Sequence, residues 1–234
     1  MQSIVQRLKP VNMSEFKRHE VIRSMEEQGV VPLFYHADPE VGKNVLKACY
    51  DGGFRIFEFT NRGDFAHEVF GELVKFARNK LPGLILGVGS VVDEATASIY
   101  IQLGASFVVS PLLNEAMADA CNRRKVMWMP GCATPTEIAR ADSLGADIVK
   151  VYPAALLGGP AFIKAMQGPC PWTRLMPSGG VAPEKDNLDA WFKSGACCVG
   201  MGSKLITADI IKREAYHELE NKVREVRSLL EEIR

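Results

Sequence analysis

Eight short, nearly unbroken apolar runs recur along the chain, each closed by Gly, Pro or a small polar residue. They are Val30–Tyr35, Phe54–Phe59, Leu84–Val88, Phe107–Ser110, Val126–Met129, Ile148–Tyr152, Arg174–Met176 and Cys197–Gly200. Their starts lie roughly 20 to 30 residues apart, the length of one strand, one crossover helix and two loops. A half-exposed strand alternates apolar and polar residues; these runs do not, so both faces are expected to be covered, as in an all-parallel sheet. Eight such units predict an α/β fold of the (β/α)8 or TIM barrel type. An open doubly wound sheet is the other reading. Against it, the first run is followed by Tyr35-His36-Ala37-Asp38-Pro39 rather than a glycine-rich dinucleotide loop.

The segments between the runs read as helices. Glu40–Tyr50 carries Val41, Val45 and Leu46 and is stopped by Asp51-Gly52-Gly53; Asp64–Asn79 carries Phe65, Val69, Leu73 and Phe76 at helical spacing. Thr134–Leu144 opens with Thr134 as N-cap, Pro135 at the first helical position and Glu137 completing a capping box, and Gly145 stops it. Two helices fall outside the repeat. Ser14–Gln28, with Ser14 as its cap and Val21, Ile22 and Met25 on one face, is expected to close the barrel bottom. Ile206–Ile233 is expected to be one long C-terminal helix with Leu219, Val223, Val226, Leu230 and Ile233 as its apolar stripe, packing on the barrel or on a neighbouring subunit. Residues 1–234 therefore read as a single barrel domain with its core at about 30–205.

The 28 basic and 28 acidic side chains cancel, which argues against a broad nucleic-acid-binding face but leaves room for a local basic pocket. The opening residues Met-Gln-Ser-Ile-Val-Gln-Arg-Leu-Lys-Pro lack the apolar core of a signal peptide. No apolar run reaches the roughly 20 residues that span a bilayer, so no membrane partner is expected. Cys49, Cys121, Cys132, Cys170, Cys197 and Cys198 contain no CxxC spacing and read as structural thiols. A cytoplasmic location is the expectation.

In a (β/α)8 barrel, chemistry takes place at the C-terminal ends of the strands. That rule selects Glu58, Thr60 and Arg62 after the second run, Ser90 after the third, Ser110 after the fourth, Lys150 in the sixth, Ser178 after the seventh and Ser203 after the eighth. Lys150 lies in Ala-Asp-Ile-Val-Lys-Val-Tyr-Pro-Ala, residues 146–154. Lysine is rarely buried without a partner or a purpose, and a desolvated amine can become a nucleophile that forms a Schiff base with a ketone. Strand alternation puts Ile56, Glu58 and Thr60 on one face. A carboxylate on such a strand needs a cation or water beside it, and across a barrel from Lys150 it is a candidate proton shuttle. Arg62 is placed to hold a substrate carboxylate. Pro177-Ser178-Gly179-Gly180 and Gly200-Met201-Gly202-Ser203-Lys204 follow adjacent strands, where backbone N–H groups frequently hold a phosphate. Ala154–Pro160, with Gly158-Gly159, is a further candidate anion-facing turn. His19, His67 and His217 fall in helical segments and His36 follows the first run as a weak site candidate. There is no HxH, HExxH, GxSxG, Walker A or dinucleotide fingerprint. Neither a metal nor a cofactor is expected.

Several of these segments, in order, resemble the signature motifs of a known enzyme family. They are Gly53-Phe54-Arg55-Ile56-Phe57-Glu58-Phe59-Thr60-Asn61-Arg62, Gly87-Val88-Gly89-Ser90-Val91, Ser110-Pro111, Pro130-Gly131-Cys132-Ala133-Thr134-Pro135-Thr136-Glu137-Ile138, Val149-Lys150-Val151-Tyr152-Pro153-Ala154 and Pro177-Ser178-Gly179-Gly180. The family is the 2-keto-3-deoxy-6-phosphogluconate (KDPG) / 4-hydroxy-2-oxoglutarate (KHG) aldolases, and the likeness covers about residues 17–205. The resemblance implies a class I aldolase without metal or organic cofactor, a homotrimer of barrels, acting on a small keto acid that carries a phosphate. It implies Lys150 as the Schiff-base lysine, Glu58 as the acid/base group and Arg62 as the carboxylate ligand, with Thr60, Ser90 and Pro111 beside the pyruvyl group. Ser178, Gly179, Gly180, Gly202 and Ser203 match its phosphate-facing loops. Asn61 stands where leucine is usual, Ser90 and Ser178 replace threonines, and Met201 replaces a glycine. Cleavage of 4-hydroxy-2-oxoglutarate or of the galactonate epimer is the nearest alternative. A phosphosugar isomerase or phosphate-binding synthase on the same barrel, and a non-catalytic barrel serving in assembly, are the readings outside this class.

Overall fold

The computed structural model describes residues 14–234. The opening segment from which a missing signal peptide was read lies outside them. The elements run α1 (Arg18–Gln28), β1 (Val30–Phe34), α2 (Pro39–Asp51), β2 (Ile56–Thr60), α3 (Ala66–Lys80), β3 (Ile85–Gly89), α4 (Glu94–Leu103), β4 (Phe107–Val109), α5 (Glu115–Arg123) and β5 (Met127–Met129). They continue with β6 (Gly131–Cys132), α6 (Pro135–Ser143), β7 (Val149–Val151), a 3-10 turn (Ala154–Leu157), α7 (Pro160–Gln167), β8 (Leu175–Pro177), α8 (Lys185–Lys193), β9 (Val199–Met201), α9 (Ala208–Lys212) and α10 (Tyr216–Ile233).

The strands pair in parallel in the orders β5-β4-β3-β2-β1-β9 and β6-β7-β8. Among the described residues nine segments fill eight barrel positions, because Pro130 has no N–H and divides the fifth strand into β5 and β6. Its carbonyl still accepts from Lys150 N at 2.9 Å, so the ladder passes through the break. Bridges Leu175–Ala196 and Ser178–Gly200 join β8 to β9 and close the ring. The predicted barrel is thus the observed one.

Alternation along each strand sorts side chains into two cores. On β2, Phe57 and Phe59 point outward into the layer shared with the helices, where Phe70, Tyr100 and Trp128 also lie, whereas Ile56 belongs to an inner cluster. That inner cluster holds Val31, Ile85, Phe107, Met127, Met129 and Met176, and α1 plugs it from below with Val21 and Met25. Arg18 fastens α1 to the far side of the floor through Asp147 and, at 2.7 Å, Asn122 Oδ1.

The Thr134 capping box forms as expected, Thr134 accepting from Glu137 N at 3.3 Å and Glu137 Oε2 accepting from Thr134 N at 2.9 Å. Two expectations need correction. Helix α1 begins at Arg18, not after Ser14: Glu20 Oε2 accepts from Lys17 N at 2.6 Å, while Ser14 closes a turn by donating to Phe16 O at 2.8 Å. The C-terminal helix is two helices. Glu214 adopts a left-handed conformation (φ +54°), Ala215 N donates to Ile210 O at 2.9 Å, and Arg213 spans the bend with ion pairs of 2.7 Å to Asp209 and to Glu218. The bend leaves α9 at the mouth of the barrel and lays α10 along α2 and α8, with Leu219, Val223, Val226 and Leu230 buried. No helix among the described residues is long and apolar enough to cross a membrane.

Met25 has no exposed surface on the barrel floor. Replacing it with Ala is expected to cost about 2–5 kcal/mol, read as a fall in the urea unfolding midpoint.

Candidate active site

Alternation from Ile56 turns Glu58 and Thr60 into the barrel, and alternation from Ile148, which also lies in the inner cluster, turns Lys150 inward between outward-facing Val149 and Val151. Glu58 is 1% exposed and Lys150 6%, so two ionisable groups share a largely desolvated space. The register fixes their neighbours on the adjoining strands. Lys150 is paired with Gly131 and Met176, and Glu58 with Leu33 and Gly87. A Cβ at Gly89 would overlap the Glu58 carboxylate. Glycine there is a matter of space, not of backbone freedom.

Glu58 Oε2 is buried without a hydrogen-bond partner among the described residues. Burial pushes the Glu58 carboxyl above the usual carboxylate range, and the charges of Lys150 and Arg62 pull the other way. Both cations are therefore its electrostatic neighbours. A carboxyl in that position is suited to hold a proton and release it when a cation forms nearby.

Beside this pair opens a cleft of about 720 Å³. Of the residues singled out in the sequence, Thr60, Arg62, Ser178, Gly179, Gly180, Gly202 and Ser203 line it. Its walls carry the cations Arg62, Lys204 and Lys212 and, among the described residues, no Asp or Glu. The N–H groups of Gly179 and Gly180 have no partner among the described residues and are open to an anion. The Ala154–Pro160 turn is not: Ala154 N and Ala155 N donate to Ser178 O and Gly179 O at 2.9 and 3.0 Å, which corrects its reading as an anion-facing turn.

Glu58 and Lys150 lie deeper than the cleft walls, and Tyr152 joins the two regions. Its ring lines the cleft, and Lys150 Nζ lies 5.2 Å from the ring centroid. Ser90 and Pro111 are not among the cleft walls; Ser90 is half-buried in a left-handed conformation (φ +59°) and Pro111 packs over Gly131. Ser110 is buried and donates to Leu112 O at 2.6 Å. His36 Nδ1 accepts from Asp38 N at 3.0 Å in the turn after β1. Of the residues that depart from the family motifs, Ser178 lines the cleft, whereas Asn61 Oδ1 accepts from Tyr100 at 2.8 Å and Met201 is buried in the outer core. Among the described residues no three His, Cys, Asp or Glu side chains gather as a metal site, and all six cysteines are free thiols.

Sequence reasoning did not single out Tyr152 or Lys212. Tyr152 was within reach, since it sits two residues beyond Lys150 on the same strand face. Lys212 was not, because only the fold brings α9 to the cleft.

A family model described as KDPG and KHG aldolase matches residues 21–222. The chain is 33% identical over 161 residues to the 2-dehydro-3-deoxy-phosphogluconate aldolase of Treponema pallidum, which covers 69% of this chain and 75% of that one. It is 29% identical over 196 residues to the KHG/KDPG aldolase of Escherichia coli, covering 84% and 89%. Among solved structures, the 2-keto-3-deoxy-6-phosphogluconate aldolase of Zymomonas mobilis superposes with a TM-score of 0.76 at 25% identity, covering 88% of this chain and 96% of that one.

The raised carboxyl has a consequence for stability. A group that binds its proton more tightly in the folded chain stabilises fully below its unfolded value, ordinarily 4.5, and that contribution is lost as pH rises through the folded value. Urea unfolding from pH 4.5 upward is expected to show this decline in the unaltered protein and a flatter profile in Glu58→Gln. Equal slopes would mean that the carboxyl is already ionised in the fold.

Proposed function

The chain belongs to the KDPG and KHG aldolase family, and from that membership we propose that it cleaves 2-dehydro-3-deoxy-6-phosphogluconate to pyruvate and glyceraldehyde 3-phosphate through a Schiff base on Lys150. The observation that carries this reading is the buried pair of Lys150 and Glu58 beneath a cleft whose walls are cationic and free of acid. A buried amine without purpose is disfavoured, and an acid-free cleft selects an anionic substrate.

In the proposed sequence the unprotonated Lys150 amine attacks the C2 ketone and forms a carbinolamine. Glu58, entering protonated, supplies the proton with which the carbinolamine hydroxyl leaves as water. The resulting iminium withdraws electrons from C3. Glu58, now a carboxylate, takes the proton of the C4 hydroxyl; the C3–C4 bond breaks, its electron pair passes to the enamine, and the aldehyde is released. The enamine carbon takes a proton back, and water hydrolyses the imine to pyruvate and free Lys150. Arg62 holds the carboxylate as a planar, bidentate donor. The N–H groups of Gly179 and Gly180, together with Ser178, Gly202 and Ser203, hold the phosphate, with Lys204 and Lys212 adding charge. Thr60, two residues from Glu58 and two from Arg62 in sequence, lines the cleft, and Ser90 and Pro111 complete the proposed substrate-binding set. Fixing both ends of the substrate makes the reacting groups neighbours in one complex.

A homotrimer completes the reading. The exposed Phe65, Val92, Ile99 and Leu112, carried by the segments from the start of α3 to the start of α5, are apolar side chains that such an interface would cover.

Borohydride added with pyruvate should place one pyruvyl-derived adduct on Lys150, located by peptide mass mapping, and Lys150→Met should abolish it. Labelling at another residue would overturn the assignment. With matched substrates, kcat/KM for the phosphorylated acid should exceed that for 4-hydroxy-2-oxoglutarate by roughly 10-fold or more, the worth of one lost charge-assisted hydrogen bond. The reverse order would make the second substrate the better reading.

A further inference from the structure

The imine that forms on Lys150 is a cation, and its surroundings offer that charge little. The cleft walls add three more cations and no acid. Glu58, the acid nearest in charge, gives up a proton to form the iminium but must take another from the C4 hydroxyl, so it is not a standing counter-ion. Tyr152 is different. It follows β7 with its N–H still in the ladder, donating to Cys132 O at 3.1 Å, so its side chain keeps the inward phase of Lys150 two residues before. Tyr152 is 39% exposed, lines the cleft and has Lys150 Nζ 5.2 Å from its ring centroid. That lies within the roughly 6 Å over which the negative face of an aromatic ring attracts a cation.

We propose that Tyr152 is a positioning residue for the imine, its ring face carrying part of the positive charge on the nitrogen of Lys150. A carboxylate in contact would neutralise that nitrogen and blunt its pull on the C3–C4 electrons. A ring quadrupole stabilises the cation without neutralising it, so the nitrogen remains an electron sink. The ring also asks for no proton, which leaves Glu58 as the one group that exchanges protons in the sequence above. The proposal rests on Lys150 being the imine-forming amine.

The test is the imine equilibrium with pyruvate, read as the pyruvate concentration that gives half-maximal borohydride trapping. Tyr152→Phe keeps the ring and should stay within about twofold of the unaltered protein, while Tyr152→Leu should need about 2- to 30-fold more pyruvate. The KM for the acceptor aldehyde in the condensation direction should not move, as it would if the residue only shaped the cleft. Because Tyr152→Leu removes packing as well, phenylalanines of increasing fluorination placed at position 152 provide a second series. They weaken the ring face at nearly constant shape, and trapping should fall in step. Unchanged trapping across that series overturns the proposal, as does a Tyr152→Phe loss as large as that of Tyr152→Leu, which would put the role on the hydroxyl. If the unaltered protein forms no pyruvate adduct, the Lys150 reading falls and this one with it; if it forms one and the ring series is flat, only this one falls.

Discussion

A slip of one residue in the pairing of β2 with β3 would carry Glu58 out of the barrel and put Phe57 or Phe59 in its place. The register prevents it. Phe57 and Phe59 fit the apolar layer under α3 and α4, Ile56 fits the inner floor, and Glu58 fits only beside glycine. Gly89 on β3 leaves out a side chain where the Glu58 carboxyl needs volume, Gly87 makes way for the Phe107 ring, and Gly131 on β6 lets the Ser110–Pro111 backbone approach. The register of apolar residues thus places the polar ones, and a shift costs every strand face at once.

Two opposed demands meet at that level of the barrel. Burial favours neutral groups, whereas the cations around Glu58 favour its charge. Neither demand is met in full, and an unpartnered carboxyl oxygen remains in the interior. An unsatisfied buried polar atom weakens a fold, and such atoms tend to persist where chemistry uses them. The acid-free walls of the cleft continue the same pattern outward, from Lys150 in the interior to Arg62, Lys204 and Lys212 at the rim.

Much of this was legible in the chain. Eight apolar runs announced eight barrel positions, and period-2 alternation put Glu58 and Thr60 on one face with Ile56, the face that proves to be the inner one. The Thr134 box was readable because its cap and its partner are three residues apart. What failed was local signal without tertiary context. Ser14 has the chemistry of a cap, but the chain between it and α1 is drawn into a turn near Ser106, and Glu20 caps Lys17 instead. The apolar period runs on across Arg213–Ala215, and a glutamate in a left-handed conformation gives no warning of a bend. Lys212 reaches the cleft only because of that bend. Ser90 came from its place after the third run and Pro111 from motif likeness, and neither kind of signal says how far a residue lies from the cleft walls.

Helix α1 seals the lower end of the barrel with Val21 and Met25, neither of which has any exposed surface. Among the described residues the interior is therefore closed below, and the cleft lies at the strand tips. With Lys150 as the proposed imine-forming amine, substrate and the hydrolytic water share that one side of the barrel. A substitution in the floor then acts on stability without widening or narrowing their way in.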